Sequence, residues 1–251
     1  MKSLFAALRF LSILPIRQGW AGQEKELACS VKFFPVAGLI MGTILAVFAW
    51  ALGFVVPQTV VAAITVTGLV ILTRGLHLDG LADTADGFWS VSGRSRTLEI
   101  MKDSHTGAMG VIAIVCVLLL KFACLAALNR DMLWRAVLLM VLTGRCMMIV
   151  PISVLPYARK EGGLGQLFYE TKTIPNAFWG ILAALVVGWF IAGTAGVAAS
   201  VGSVLITIVF GAYCKWKIGG VTGDTLGATC QIAEVVTALV LCGFAAKVVV
   251  S

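Results

Sequence analysis

"FFPVAGLIMGTILAVFAWALGFVV", residues 33–56, contains no charged side chain. As a helix it would rise about 36 Å, more than the roughly 30 Å hydrocarbon core of a bilayer. Comparable apolar runs recur along the chain. Spans are expected at approximately 33–56, 59–76, 107–128, 133–155, 177–193, 197–213 and 227–250. The composition agrees: of 251 residues, 60% are hydrophobic and only 12% charged, with a mean hydropathy of +1.00. A soluble domain would carry roughly twice that charged fraction. The expected fold class is therefore all-α: a multi-pass helical membrane protein of about seven transmembrane helices, forming one domain over 1–251.

Two details of the spans carry expectations. Gly193, Thr194 and Gly196 predict a tight turn between 177–193 and 197–213, against the alternative of one long tilted helix. "GLIMG", Gly38 to Gly42, is a small-xxx-small pattern that allows close helix approach.

The N-terminus, "MKSLFAALRFLSILPIRQGW" (1–20), superficially resembles a signal peptide. Arg9 interrupts its apolar core, and Pro15 to Trp20 offers no small-x-small cleavage site. It reads as an amphipathic helix lying at the membrane interface, anchored by Lys2, Arg9 and Arg17. The cysteines (29, 116, 124, 146, 214, 230 and 242) form no CxxC pair and read as packing residues.

The connections fall into two sets. Residues 1–32, 77–106, 156–176 and 214–226 hold most Lys and Arg, including Lys25, Lys32, Arg94, Arg96, Lys102, Arg159, Lys160, Lys172, Lys215 and Lys217. The set 57–58, 129–132 and 194–196 holds Arg130. Basic loops face the cytoplasm, so the first set and the N-terminus are expected inside and the C-terminus outside. The net charge of +7 is then a topological signature rather than a nucleic-acid footprint.

Acids are costly near lipid and need a reason. Glu24, Glu26, Asp131, Glu161 and Glu170 fall in expected loops, where solvation suffices. "GLHLDGLADTADGFWS", residues 75–90, is different. Asp79, Asp83 and Asp86 are spaced i, i+4, i+7 and share one helical face. No Lys or Arg occurs between 75 and 93 to offset them. Either their protonation is perturbed or a cation sits among them. Glu99 and Asp103 repeat the i, i+4 step, and "VSGRSR" (91–96) supplies a turn that would bring the two acidic faces together. Hard oxygen donors alone point to Mg²⁺ or Mn²⁺ rather than zinc. Several of these carboxylates, from two helices, could hold one or two such ions, with His77 and His105 beside them as partners of the ligands or contacts to substrate.

"GGVTGDTLGATCQIAE", residues 219–234, leads into the last span. Thr222, Gly223 and Thr225 can present N–H groups and hydroxyls to an anion at a helix start. Asp224 suits an N-cap. Glu234 lies two turns deeper on an apolar helix and is a candidate substrate contact. In "YARKEGGLGQLF" (157–168), Arg159 and Lys160 are candidate phosphate contacts. Arg145, inside a span, needs a carboxylate or carbonyl partner. Carboxylates, a Gly/Thr loop and cations at one membrane face suggest phosphoryl-type transfer. Asp79, Asp103 and Asp224 are candidate catalytic carboxylates, one of them taking a proton from an attacking hydroxyl.

Four stretches, "HLDGLADTADG" (77–87), "RTLEIMKDSHTGAMG" (96–110), "YARKEGGLG" (157–165) and "GGVTGDTLGA" (219–228), together resemble the cobalamin synthase (adenosylcobinamide-GDP ribazoletransferase) family. The resemblance covers nearly the whole chain. It implies a multi-pass enzyme of the bacterial inner membrane acting late in vitamin B12 synthesis. Such an enzyme joins α-ribazole, or its 5′-phosphate, to adenosylcobinamide-GDP, requires Mg²⁺ and releases GMP. Membrane lipid would be its surroundings, and a homo-oligomer is compatible with it. A fainter similarity links Asp83, Asp86 and Gly87 to the CDP-alcohol phosphotransferases, which act on lipid head groups. Ser90 and Val91 replace that family's Ala-Arg pair, and Glu99 replaces an Asp; the similarity implies Asp83, Asp86, Glu99 and Asp103 as the metal ligands. An ion-coupled transporter is the alternative from another class; its relay acids would sit at mid-span.

Overall fold

The computed structural model describes residues 1–159, 164–169 and 173–250. The elements are α1 (Lys2–Leu11), α2 (Gln18–Ala21), α3 (Glu24–Ala28), α4 (Phe34–Leu52), α5 (Gln58–Leu72), α6 (Leu76–Trp89), α7 (Arg94–Ile100), α8 (Ala108–Ala126), α9 (Arg130–Val154), α10 (Leu164–Leu167), α11 (Ile174–Ile218) and α12 (Gly223–Val250). Extended pairing among the described residues is limited to an isolated bridge, Tyr157 with Val221.

α9 is the central post. Every residue from Ala136 to Ser153 is buried, as expected of a helix that is apolar all round. α4, α11 and α12 pack around it. The α4 contact uses the expected small-residue pattern: a Cβ on Gly42 would lie 2.8 Å from the Leu138 carbonyl oxygen, and one on Gly38 would lie 3.1 Å from Arg145 Cβ. Outward faces of the bundle carry Phe48, Val115, Leu119, Phe190, Leu205 and Val209, all exposed. Such a continuous apolar surface suits lipid rather than water.

Among the described residues, five helices are long and apolar enough to cross a membrane, or six if the bent pair α5–α6 is one span. The expected seven are thus not reproduced by that count. One reason is that α11, 45 residues long, is a hairpin: Ala192 (φ −137°) and Gly193 (φ 56°) leave helical geometry. Its arms then pack antiparallel, since Ser200 Oγ donates to the Ala184 carbonyl at 2.9 Å and Gly188 abuts Gly196. The turn expected at Gly193 is present, and the single tilted helix is not. The other reason is α5, which stops at Leu72 rather than 76. Arg74 (φ 54°) and Gly75 (φ 68°) are both left-handed and turn the chain by 86° into α6.

α1 is amphipathic as expected, with Ala6, Ala7, Leu8 and Leu11 buried and Lys2 and Arg9 exposed. It is tied to the α5–α6 bend: Arg74 donates to the carbonyls of Arg9 and Phe10 at 3.3 Å, and the Ile13 N–H reaches the Leu72 carbonyl at 2.8 Å. All seven cysteines are free.

Candidate active site

α6 is helical across the acidic motif because Gly75 starts it and no β-branched run interrupts it. Its buried side carries His77, Leu78, Leu81, Ala85 and Phe88. Asp79 is exposed, and Asp83 and Asp86 are half-buried, so the three acids do occupy one face. α6 crosses α12 through two glycines. A Cβ on Gly80 would lie 2.8 Å from the Asp224 carbonyl oxygen, and one on Gly227 would lie 3.2 Å from the His77 carbonyl oxygen. That close crossing brings the Asp79–Asp83 face beside the N-terminus of α12.

Thr222, not Asp224, caps α12. The Thr225 N–H reaches Thr222 Oγ1 at 3.3 Å, and the Thr222 N–H reaches Thr225 Oγ1 at 2.8 Å. This reciprocal pair leaves the Asp224 carboxylate free to turn outward. It accepts from Arg159 at 2.6 Å and from the Thr222 hydroxyl at 3.2 Å. Arg159 also donates to the Met101 carbonyl at 3.2 Å. Its segment is pinned by the Tyr157–Val221 bridge: the Ala158 N–H donates to the Val221 carbonyl at 2.8 Å. Gly220 is required there, because a Cβ would fall 2.2 Å from the Pro156 carbonyl oxygen.

A cleft of about 190 Å³ opens where these elements meet. His77, Asp79, Tyr157, Arg159, Gly223 and Asp224 supply its polar lining, and Phe10, Met148, Phe168 and Leu226 its apolar wall. Gly223 begins α12, so the positive end of that helix faces the cleft. Asp83 feels Asp224, Asp79 and Asp86 as like charges, with Arg159 as the opposing cation.

The other expected site residues lie elsewhere. Both Asp86 oxygens accept backbone N–H groups, from Gly107 at 2.7 Å and Gly110 at 2.8 Å. Asp86 therefore caps α8. Glu99 is exposed and pairs with Arg96 at 2.8 Å. Asp103 is exposed and bonds His105 at 2.7 Å; that imidazole, then its backbone N–H, hold the Asp103 carboxyl below the usual carboxylate range. α7 does meet α6, but through Gly87 against Met101 and Thr97, so the acids of the two segments are not interleaved. Among the described residues, no three His, Cys, Asp or Glu side chains converge as an ion cage. Lys160 lies outside the described residues. Glu234 is fully buried, and its carboxylate pairs with Arg145 and Lys121 rather than opening to the cleft. Arg145 thus finds the carboxylate it needs, together with the Val141 carbonyl at 3.2 Å.

Three contributors escaped the sequence reading. Tyr157 lines the cleft and packs against the tilted ring of Tyr169, centroid 5.2 Å away. Lys121, a lone cation in an apolar run, completes the Glu234 cluster. Arg94 joins α7 to the Arg159 segment through the Ala158 carbonyl at 3.2 Å. Lys121 was the findable one, because a buried cation within a span requires an acid.

Residues 3–242 match the family model described as cobalamin-5-phosphate synthase. An adenosylcobinamide-GDP ribazoletransferase of Roseiflexus sp. (strain RS-1) is 42% identical over 92% of this chain and 85% of its own length. Those of Geotalea daltonii and Chlorobaculum parvum are 34% and 36% identical, over 96% and 94% of this chain and 97% and 92% of their own lengths. No solved structure matches. The match spans the three motifs whose residues line the cleft and the 96–110 motif, which braces Arg159 through the Met101 carbonyl, and the chain belongs to the cobalamin-5-phosphate synthase family.

Proposed function

We propose that this chain joins the adenosylcobinamide phosphate of adenosylcobinamide-GDP to a hydroxyl of α-ribazole, or of α-ribazole 5′-phosphate, and releases GMP. The family membership carries this reading. The cleft supports it, because it sets carboxylates, a guanidinium and a helix N-terminus within one small volume.

Arg159 and the start of α12 would bind the pyrophosphate oxygens and orient the scissile P–O bond. Asp79, on the exposed edge of the acidic face, would accept the proton of the attacking hydroxyl. A new P–O bond to the acceptor forms, the bond to GMP breaks, and Arg159 offsets the charge on the leaving phosphate.

Mg²⁺ suits the donor set: Asp83 stands among carboxylates with a single guanidinium against them. Mg²⁺ typically takes one or two protein carboxylates and completes its shell with water and substrate phosphates. A cage of three acids is therefore not needed. Asp83, with Asp79 or Asp224, would hold the ion, and Glu99 and Asp103 fit that role poorly. When bound, the ion would neutralise phosphate oxygens.

We place the protein in the bacterial inner membrane with the cleft and N-terminus on the cytoplasmic side. Residues from four basic connections (Phe10, Asp79, Arg159 and Gly223) line one cleft, and basic connections face inward. Counting both arms of α11 and the α5–α6 pair gives the seven crossings of this topology.

The test is reconstitution. Purified protein in lipid nanodiscs receives adenosylcobinamide-GDP, α-ribazole and Mg²⁺, and products are resolved by chromatography. Equal amounts of cobalamin and GMP are expected; absence of both would refute the reading.

A further inference from the structure

His77 is 1% exposed, and neither ring nitrogen has a hydrogen-bond partner among the described residues. It nonetheless lines the cleft. A buried imidazole with no partner is unfavourable, and a polar atom brought into the cleft by a ligand would relieve it. The neighbouring Arg145 Nε and Nη2 are likewise unpartnered. Of these two residues, His77 is the one that lines the cleft.

The shape of the cleft narrows what that atom belongs to. Its charged groups, Asp79, Arg159 and Asp224, are only partly buried or exposed, whereas Phe10, Met148, Phe168 and Leu226 wall the remainder. At the α6–α12 crossing, Gly80 and Gly227 leave bare backbone. A volume of about 190 Å³ has room for a fused bicyclic aromatic against that wall. Phosphate suits the apolar wall poorly, because Arg159, the cation that lines the cleft, stands among its partly exposed groups.

We propose that His77 is the specificity-determining contact for the acceptor's base: the heteroaromatic ring enters the apolar slot, and the imidazole N–H donates to its free ring nitrogen. This rests on the transferase reading above. It also orients the acceptor, since a base held at the inner end leaves the ribose hydroxyl at the acidic rim beside Asp79.

The test compares α-ribazole with its isosteric indole riboside, in which the free ring nitrogen is a C–H. The full chain is used in nanodiscs. Wild type should prefer α-ribazole by about tenfold to a hundredfold in kcat/KM, a range set by one unmet buried hydrogen bond. His77→Leu should erase the preference mainly through KM for α-ribazole while retaining turnover of the indole riboside. His77→Asn, which keeps a donor, should restore part of it. Binding of α-ribazole without Mg²⁺, read by calorimetry, should weaken in His77→Leu by a similar factor. Equal use of both ribosides by wild type would overturn the inference, as would equal losses for both in every variant, while leaving the transferase reading intact. No product from either riboside would instead refute the transferase reading. If His77→Leu does not fold, the wild-type preference and the His77→Asn variant still decide.

Discussion

Arg159 holds Asp224 at 2.6 Å across the mouth of the cleft, joining the 156–159 segment to the first turn of α12. The pair is only partly buried, with side chains 18% and 21% exposed. It is placed to open when an anionic substrate competes for the guanidinium. Arg159→Lys keeps the charge but loses the planar guanidinium whose Nη2 donates to both Asp224 and the Met101 carbonyl. We expect kcat/KM for the corrinoid donor to fall about a hundredfold, with thermal stability nearly unchanged. The check is GMP release across donor concentrations.

Asp86 has a structural role that its spacing disguises. Asp86→Ala removes two N–H acceptors from the start of α8 and should cost about 1–2 kcal/mol of stability. The melting temperature in detergent should drop. Asp86→Asn, retaining one acceptor oxygen, should lose less. Unchanged melting in both would contradict the capping role.

Glu234 balances two buried cations. Glu234→Gln strands Lys121 and Arg145 in the bundle, at a cost of about 3–5 kcal/mol. We expect loss of folded protein on size-exclusion chromatography. Adding Lys121→Met should recover part of it, because the remaining Arg145 keeps the introduced amide oxygen and the Val141 carbonyl as acceptors. An absence of coupling in this double-mutant cycle would exclude the pairing.

Orientation is read by thiol labelling. Gly93, exposed between α6 and α7, tolerates a Cβ with nothing within 4 Å. Gly93→Cys should react with an impermeant maleimide in inverted vesicles, above the native-thiol background, and not in right-side-out ones. The reverse pattern would invert the topology.

How much of this was legible in the sequence follows from range. The i, i+4, i+7 acids of α6 are a local pattern, and they do share a face. The small-xxx-small pattern at Gly38 and Gly42 is local too, and it marks the α4–α9 contact. Capping of α8 by Asp86 is not local: it depends on Gly107 and Gly110 arriving from beyond the α6–α7 turn. Glu99 and Asp103 have the same spacing as a ligand pair, but spacing carries no information about which neighbour a face meets. Here Gly87 draws Met101 and Thr97 against α6, leaving the acids outward. Thr222 outcompetes Asp224 as the cap because Thr225 reciprocates, a pairing visible in "TGDT" (222–225) only once the start of α12 is known.

The most direct measurement sets two acids against each other. In nanodiscs with adenosylcobinamide-GDP, α-ribazole and saturating Mg²⁺, GMP release is followed for wild type, Asp83→Asn and Glu99→Gln. If the α6 face beside Asp224 is the reaction centre, Asp83→Asn loses at least about a hundredfold in rate and Glu99→Gln stays within a few-fold of wild type. Normal turnover in Asp83→Asn, with collapse in Glu99→Gln, would move the centre to α7 and contradict the assignment.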